Sequence, residues 1–361
     1  TSLKSKSVMS QYKKNINNQE KLESPIDFRS DTVTLPSHEM LASINNTKLG
    51  DDVYEEDIEV IELQEYAANL LGKEASLFFP SGTQSNLTAM LAHCQRGDEV
   101  LIGRHYHTNV YEARGVSVLG GVGICPIDTS ASGSMKVSDM LSQIKANDPH
   151  YAVTKLLCLE NTFSGKVQPQ KELDALAKAA HSKGLKVHLD GARLFNAHIH
   201  SGLTMKALTE SFDSISICLS KGLGAPIGSL LVSDQATINK ALRLRKMLGG
   251  GMRQVGVIAA YGMYALKNNI KRLQEDHDNA KYLASGLSSV SELTIDYGEN
   301  QTNMVFVDCP ELHRDSLERH LFDRNIIISN LDRGRLVCHL GISKEDILVV
   351  INAFKDYFKN I

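Results

Sequence analysis

The sequence predicts an α/β protein: a mostly parallel β-sheet covered by helices, followed by a smaller α+β domain at the C-terminus. Short apolar runs alternate with amphipathic helical patterns over most of the chain, as expected for parallel strands joined by helical crossovers. The apolar runs are continuous rather than alternating, which is typical of strands buried on both faces. Residues 271–361 change to short strands mixed with longer helices.

Length and composition describe a globular protein with room for two domains. The chain has 361 residues, of which 42% are hydrophobic and 22% charged, and its formal net charge is -3. This balance does not favour binding to nucleic acid or to an acidic membrane, and no apolar run reaches the ~20 residues of a membrane span. The six cysteines form no C-x-x-C pair, which favours a reduced, cytoplasmic compartment.

Three regions are predicted along the chain. Residues 1–24 are polar, rich in lysine, serine and asparagine, and without periodicity, so we expect a flexible arm and no secretory or transit role. Residues 25–270 form the predicted large domain, and residues 271–361 the small C-terminal domain. No change of composition marks the boundary near residue 270.

The elements of the large domain follow from apolar periodicity and from turn residues. The first helix carries Val60, Leu63 and Ala67 on one face and stops at Gly72. The predicted strands are residues 75–79, 99–103, 123–127, 155–160, 185–190, 214–219 and 227–233. The predicted helices are residues 57–71, 82–94, 109–114, a segment from 136, 170–183, 236–247 and 255–267.

The small domain begins with a long amphipathic helix over residues 269–287. Its predicted strands are residues 304–307, 326–328 and 336–338, with helices around Ser316 and Glu345.

Polar residues follow five of the strands predicted for the large domain. In open α/β sheets ligands bind beyond the carboxyl ends of the strands, so these residues are the candidate site. They are Ser81, Gly82 and Thr83; His107; Glu160 and Asn161; Asp190 and Arg193; and Ser220 and Lys221.

The stretch "FPSGTQSNL" is a glycine turn that opens a helix. Free N–H groups and hydroxyls at a helix N-terminus can bind phosphate, although an ordinary capped helix has the same pattern. Neither standard nucleotide fingerprint is present: no G-x-x-x-x-G-K-[ST] occurs, and Gly222, Gly224 and Gly228 miss the G-x-G-x-x-G spacing.

A strand-end aspartate and a strand-end lysine complete a recognisable set of groups. Asp190 could be a helix cap and Lys221 a surface lysine, but together they also suit a cofactor. A phosphate turn, a carboxylate for a protonated ring nitrogen and an amine for an aldehyde are the three contacts that pyridoxal 5'-phosphate (PLP) needs. His107 is available to lie against the ring.

Several long motifs resemble those of the L-threonine aldolase family of the low-specificity type. They include "IDFRSDTVTLPSHEM", "KLLCLENTFSGKV", "HLDGARLFNA", "ICLSKGLGAPIGSLL" and "RKMLGGGMRQVG", and the resemblance runs from Ile26 to the C-terminus. It implies the fold type I of PLP-dependent transferases, and PLP-dependent cleavage of L-threonine or L-allo-threonine to glycine and acetaldehyde. It also implies a homotetramer.

The resemblance assigns roles to individual residues. Lys221 would form the Schiff base, and His107 would stack on the ring and is one candidate for the base, a phosphate-bound water being the other. The implied cofactor residues are Ser81, Gly82, Thr83, His107, Asp190, Arg193, Lys221 and Arg253, the last supplied across a subunit interface.

The implied substrate residues are Ser30, Tyr54, Phe163, Arg193 and Arg335. Arg335 lies at a strand start in "RGRLVCHL", where a guanidinium can grip a carboxylate, and Arg333 is its near rival. Phe163 stands where many relatives of the family carry histidine, which puts in doubt a role for a histidine in handling the substrate hydroxyl.

Other functions remain open at this point. Serine hydroxymethyl transfer, β-elimination or racemisation could occur on the same scaffold, and the chain could be a catalytically silent PLP-binding protein. An NAD enzyme is disfavoured by the absent fingerprint. No metal is expected, since "HIH" (His198 to His200) has no third and fourth ligand nearby.

Overall fold

The computed structural model describes residues 23–359, so most of the predicted N-terminal arm lies outside the described residues. The described chain divides into two compact units. The larger contains Thr34–Gln274 and Asn300–Thr302, and the smaller contains residues 23–33, Glu275–Glu299 and residues 303–359. The domain limits taken from the sequence, at residues 24 and 270, stay predictions.

The strands are β1 (Ile26–Asp27), β2 (Ala75–Phe79), β3 (Asp98–Gly103), β4 (Gly123–Ile127), β5 (Val153–Glu160), β6 (Lys186–Asp190), β7 (Ser214–Cys218), β8 (Ser229–Ser233), β9 (Thr294–Asp296), β10 (Met304–Asp308), β11 (Ile326–Ile327) and β12 (Gly334–Val337).

The helices are α1 (His38–Ala42), α2 (Ile58–Leu71), α3 (Gly82–His93), α4 (His107–Val110), α5 (Gly115–Gly120), α6 (Val137–Ser142), α7 (Gln170–Ser182), α8 (Leu194–Ser201), α9 (Met205–Thr209), α10 (Gln235–Met247), α11 (Gly256–Asn268), α12 (Leu273–Leu287), α13 (Glu311–Phe322) and α14 (Lys344–Lys359), with short 3-10 helices at Asp31–Val33, Ser43–Asn46 and Asp52–Tyr54.

Within the described residues, the larger unit is built on a seven-stranded sheet with the order β2-β8-β7-β6-β5-β3-β4. The five strands from β7 to β4 in this order are mutually parallel. Strand β8 is antiparallel to both of its neighbours, so β2 runs in the same direction as the parallel five. Six strands therefore end at one edge of the sheet. This confirms the predicted mostly parallel sheet.

Helix α3 connects the two edges of this sheet. Ser81 caps its N-terminus at the carboxyl edge, where the side-chain Oγ accepts a hydrogen bond from the Gln84 N–H at 3.2 Å. At the other end of the helix His93 reaches Ser214, the first residue of β7. One face of α3 therefore runs under the sheet from its carboxyl edge to its amino edge.

The chain between β3 and β4 differs from the prediction. The prediction of a single helix over residues 109–114 was wrong, because α4 ends at Val110 and α5 begins at Gly115. Ala113 and Arg114 between them have φ values of 52° and 59°, which no α-helix accommodates. Helices α8 and α9 were not predicted. They are separated by Gly202 in a left-handed conformation, with φ of 71°.

The smaller unit contains a three-stranded antiparallel sheet of described residues, β12-β10-β9, and a parallel pair of β1 with β11. Its core includes Phe28, Leu283, Val305, Leu336 and Phe354. The predicted strands at 304–307, 326–328 and 336–338 are confirmed, whereas β1 and β9 were not predicted. Residues 23–33 belong to this unit, in which β1 pairs with β11.

Among residues 23–359, no helix combines the length and the apolar character required to cross a bilayer.

Candidate active site at the carboxyl edge of the sheet

The carboxyl edge collects the polar residues that the sequence placed at strand ends. Glu160 and Asp190 are the last residues of β5 and β6, and the register pairs them directly. His107 follows β3 and begins α4, while Lys221 lies three residues beyond the end of β7. The larger unit therefore brings acid, imidazole and amine groups to one edge, as the alternation of strands and helices predicted.

The Asp190 carboxylate is buried and held in one orientation. Asp190 is 2% exposed. Oδ1 accepts a hydrogen bond from the Ala192 N–H at 3.1 Å, and Oδ2 accepts one from Asn86 Nδ2 at 3.0 Å. The two donors fix the orientation of the carboxyl group. A fixed, buried carboxyl group at this edge suits a positively charged ligand group.

Asn86, on α3, also holds a second carboxylate, that of Glu112. Asn86 Nδ2 donates to Glu112 Oε1 at 2.9 Å, and His107 Nδ1 lies 3.0 Å from the same oxygen. Burial raises the pKa of Glu112, and the charge of Asp190 acts in the same direction. The other oxygen, Oε2, is buried without a hydrogen-bond partner. Glu112 thus fixes the orientation of the His107 ring.

Glu160 joins the same group through the backbone of His107, whose N–H donates to Glu160 Oε2 at 2.6 Å. Burial, followed by the charge of Asp190, raises the pKa of Glu160 well above its usual range. The positive charges of Lys221 and Arg193 act in the opposite direction. Both cations therefore lie close enough to this carboxyl group to influence its charge.

The backbone around Lys221 is well anchored. Its carbonyl accepts hydrogen bonds from Thr34 Oγ1 at 3.1 Å and from the Gly224 N–H at 2.9 Å. The loop then returns into β8 through Gly228, which has φ of 116° and lies where a Cβ would come within 2.6 Å of the Phe78 ring. Glycine is required here because other residues rarely adopt this conformation.

The turn before α3 forms an open cradle. Ser81 and Thr83 are exposed, and Gly82 lies between them at the first position of the helix. A Cβ on Gly82 would lie 2.7 Å from Cys218 Sγ, so only glycine fits without displacing its neighbour. Exposed hydroxyls beside free helix N–H groups are the donors that a phosphate group needs.

The two arginines assigned to the larger unit have different surroundings. Arg193 precedes α8, is half-buried and acts electrostatically on Glu160. Arg253 is exposed and forms an ion pair with Asp51, with Nη1 3.0 Å from Oδ2. Its carbonyl accepts a hydrogen bond from the Asp52 N–H at 3.2 Å. The predicted phosphate contact of Arg253 stays a prediction.

The two aromatic candidates also differ. Tyr54 ends a 3-10 helix and is 72% exposed. Phe163 is half-buried, and its ring packs on Gly133 and Tyr106, with 5.8 Å between the two ring centroids. Phe163 is thus an ordered apolar surface, whereas Tyr54 is free of tight packing.

Ser30 and Arg335 both lie in the smaller unit, a short distance apart in space. Arg335 is on β12, and its Nη2 lies 3.4 Å from the Arg29 carbonyl, one residue before Ser30. Ser30 Oγ accepts a hydrogen bond from the Thr32 N–H at 3.2 Å. Arg333 is exposed and precedes the strand.

The side chains that hold Asp190 in place were not identified from the sequence. Asn86 and Glu112 carry the hydrogen bonds described above, and His188 contacts Asn86 from the middle of β6. One signal was available, because residues two apart on a strand face the same side, as His188 and Asp190 do. Glu112 gave no signal, since it lies in the irregular chain after α4.

His107, Glu112 and Asp190 place possible metal-ligating atoms within 4.8 Å of one another. The two hydrogens of the Asn86 amide point at the two carboxylates, so hydrogen bonds link these acids without a cation. In the "HIH" motif, His198 Nδ1 lies 2.6 Å from the Leu203 carbonyl.

Comparison with known proteins identifies the family and the fold of this chain. The family model described as β-eliminating lyase matches residues 27–310. The low-specificity L-threonine aldolase of Escherichia coli is 48% identical over 325 residues, which cover 90% of this chain and 97% of the relative. The Leishmania major threonine aldolase has a TM-score of 0.79 at 20% identity, covering 92% of this chain and 99% of its own. A serine palmitoyltransferase of S. paucimobilis with bound PLP has a TM-score of 0.72 at 16% identity, covering 93% and 87%.

The structural likenesses establish the fold of this chain, which is that of PLP-dependent enzymes of fold type I. The family model and the sequence identity to the bacterial relative establish its family. The chain belongs to the β-eliminating lyase family and, within it, to the L-threonine aldolases of the low-specificity type.

Proposed function

We propose that this protein is a PLP-dependent carbon–carbon lyase that cleaves L-threonine and L-allo-threonine to glycine and acetaldehyde. One observation carries the proposal. A buried, doubly hydrogen-bonded Asp190 lies at the ligand-binding edge of the sheet, close to the end of the strand that leads to Lys221. The activity named for a relative that is 48% identical supports the same reaction.

The residues at this edge fit the groups of PLP. Ser81, Gly82 and Thr83 would hold the phosphate, since a Cβ on Gly82 would fill the cradle. Asp190 would pair with the protonated ring nitrogen, and Lys221 would bond to the aldehyde carbon. When bound, PLP supplies an electron sink for the electrons left on Cα when a substrate bond breaks.

The protein side chains would then select the bond and move the protons. Arg193, Arg335 and Ser30 would hold the substrate carboxylate, and this clamp determines which bond at Cα is cleaved. In net terms the Cα–Cβ bond breaks, the β-hydroxyl loses its proton, and Cα gains one. The hydroxyl proton would go to His107 or to a water bound at the phosphate cradle. Glu112 keeps the imidazole of His107 oriented.

Two substrate contacts and the assembly complete the proposal. Tyr54 would lie at the mouth of the site, and Phe163 would form an apolar wall beside the substrate β-substituent. Arg253 would contact the phosphate bound by a neighbouring subunit, which is consistent with its exposed side chain and requires an oligomer. We propose a cytoplasmic homotetramer. Analytical ultracentrifugation tests the assembly, and a fully active monomer would exclude it.

Turnover of free amino acid tests the activity. The holoenzyme with L-threonine should release equal amounts of glycine and acetaldehyde, and the rate should not depend on added tetrahydrofolate. Release of 2-oxobutyrate and ammonia instead would indicate elimination. With L-serine in place of L-threonine, release of glycine that requires added tetrahydrofolate would indicate hydroxymethyl transfer. PLP binding without any product would indicate a catalytically silent protein.

A further inference from the structure

Behind the active site, a chain of polar side chains, buried except for the half-buried His93, runs across the larger unit from the amino edge of the sheet to its carboxyl edge. His93 Nε2 lies 2.9 Å from Ser214 Oγ, and this oxygen lies 2.8 Å from His188 Nδ1. His188 Nε2 lies 3.0 Å from Asn86 Oδ1. Asn86 then donates to Asp190 Oδ2 at 3.0 Å. We call His93, Ser214 and His188 the polar chain.

The donors and acceptors of this chain can be assigned one after another, starting from Asn86. Asn86 Nδ2 faces the oxygens of Glu112 and Asp190, which accept hydrogen bonds when ionised, so Asn86 Oδ1 must face His188. The amide oxygen can only accept, and His188 therefore carries its proton on Nε2. Nδ1 of His188 is then an acceptor. It follows that the Ser214 hydroxyl donates to His188 and accepts from His93 Nε2–H.

Every donor in this arrangement points towards Asp190. Hydrogen bonds aligned in one direction polarise and strengthen one another in a buried environment. His188 must be neutral for the arrangement to persist, because its Nδ1 has to accept the hydrogen bond from Ser214. Burial lowers the pKa of His188 to about 3 and that of His93 to about 4, so both are uncharged at neutral pH.

The polar chain controls the orientation of the Asn86 side-chain amide. If the amide turned over, its oxygen would face Asp190 and Glu112, and two carboxylates would lose their donor. The Nε2–H of His188 prevents this by requiring an acceptor at that position. Because Glu112 also holds His107, the same amide orientation serves both the carboxylate and the imidazole of the site.

We propose that the polar chain consists of positioning residues that, through Asn86, set the orientation of the Asp190 carboxylate. The inference rests on the proposed function for the role of Asp190 at the ring nitrogen of PLP. It adds a group of residues, reaching to the opposite edge of the sheet, on which cofactor affinity and turnover depend without contact with either molecule.

Two serine variants provide a matched test. Ser214 and Ser233 are both fully buried, are paired in the sheet, and each loses one hydroxyl in a change to alanine. Ser233 Oγ donates to the Asp213 carbonyl and has no link to Asn86 in the described structure. The holoenzymes are equilibrated at decreasing PLP concentrations to obtain Kd, and kcat and KM for L-threonine are measured at saturating PLP.

We expect Ser214→Ala to raise the Kd for PLP and to lower kcat by about fivefold or more, with KM changed by less than about twofold. Ser233→Ala should leave Kd and kcat within about twofold of wild type, although both variants lose similar thermal stability. Equal effects of the two substitutions on Kd, or a Ser214→Ala enzyme with wild-type Kd, would overturn the proposal.

A second pair of variants separates donation from packing. In His188→Gln the side-chain amide can still donate to Asn86, whereas His188→Met fills a similar volume without a donor. We expect Gln to retain more PLP affinity and a higher kcat than Met, and the reverse order would contradict the proposal. The Kd for PLP is measured without turnover. A wild-type protein that binds PLP but does not cleave L-threonine would therefore contradict the proposed function, while the Kd comparison would still test the polar chain.

Discussion

Asn86 Nδ2 lies 3.0 Å from Asp190 Oδ2, and this hydrogen bond connects a helix beneath the sheet with the last residue of a central strand. The contact explains how the fold keeps a carboxylate buried at a ligand-binding edge. The same amide reaches Glu112, which in turn orients His107. Two of the groups proposed to contact the cofactor are therefore positioned by one side chain of α3.

Replacing Asp190 by asparagine should weaken PLP binding by about tenfold or more and should reduce turnover further. The reason is that a hydrogen bond to a charged group is worth about 1.5–3 kcal/mol, and the ring nitrogen loses its counter-ion. Asp234→Asn is the matched control, because Asp234 caps α10 and asparagine caps helices equally well. Kd for PLP and kcat at saturation are measured. An Asp190→Asn enzyme that turns over at the wild-type rate would refute the assignment.

A methyl group on Gly82 should close the phosphate cradle. In Gly82→Ala the new Cβ would meet Cys218 Sγ at 2.7 Å, and overpacking of this kind costs about 1–3 kcal/mol. We expect lower stability and at least about tenfold weaker PLP binding. The double variant with Cys218→Ala removes the clash and should recover most of both losses, as followed by PLP titration and thermal unfolding. If Gly82→Ala alone binds PLP like wild type, the cradle is elsewhere.

Because of Phe163, the enzyme should discriminate poorly between the two configurations at Cβ of the substrate. Its ring is an apolar surface that neither donates nor accepts a hydrogen bond, so L-threonine, L-allo-threonine and L-β-phenylserine should all be cleaved. A hydrogen bond to a neutral group is worth ~1 kcal/mol, so Phe163→His should change the ratio of kcat/KM for the two threonines by about fivefold. A wild type that already separates them by more than ~100-fold would show that other groups read the hydroxyl.

The pH dependence of stability should reveal the buried His188. Its pKa is lowered to about 3 by burial, while an unfolded histidine titrates near ~6.5. Between these values the unfolded state binds one more proton, so the free energy of unfolding falls as pH falls. From pH ~6 to ~4 the wild type should lose about 1.4 kcal/mol per pH unit more than His188→Gln. Urea denaturation at several pH values measures this difference, and parallel profiles would contradict it.

The sequence was a good guide to the sheet and to the strand-end residues, because both follow from local patterns. Continuous apolar runs located β5, β6 and β7, and the parallel topology then placed Glu160, Asp190 and Lys221 at one edge. The strand-end residues pointed to PLP by themselves, and the family motifs supplied the reaction, which residue patterns alone left open.

Long-range contacts could not be predicted from local sequence patterns. The pairing of β1 with β11 joins segments about 300 residues apart, and no composition signal marks it. Glu112 lies in irregular chain just before Ala113 and Arg114, whose positive φ values no periodicity in the sequence indicates. Asn86 and His188 resemble ordinary buried polar residues until the structure brings them together.

The covalent attachment of the cofactor tests the central claim most directly. Borohydride reduces the bond between a lysine amine and the aldehyde carbon of PLP, and peptide mapping then identifies the modified residue. We expect the label on Lys221, and we expect Lys221→Ala to lose both the visible absorbance of bound PLP and nearly all turnover, with Lys240→Ala as an exposed-lysine control. A label on any other lysine, or an active Lys221→Ala enzyme, would contradict the account.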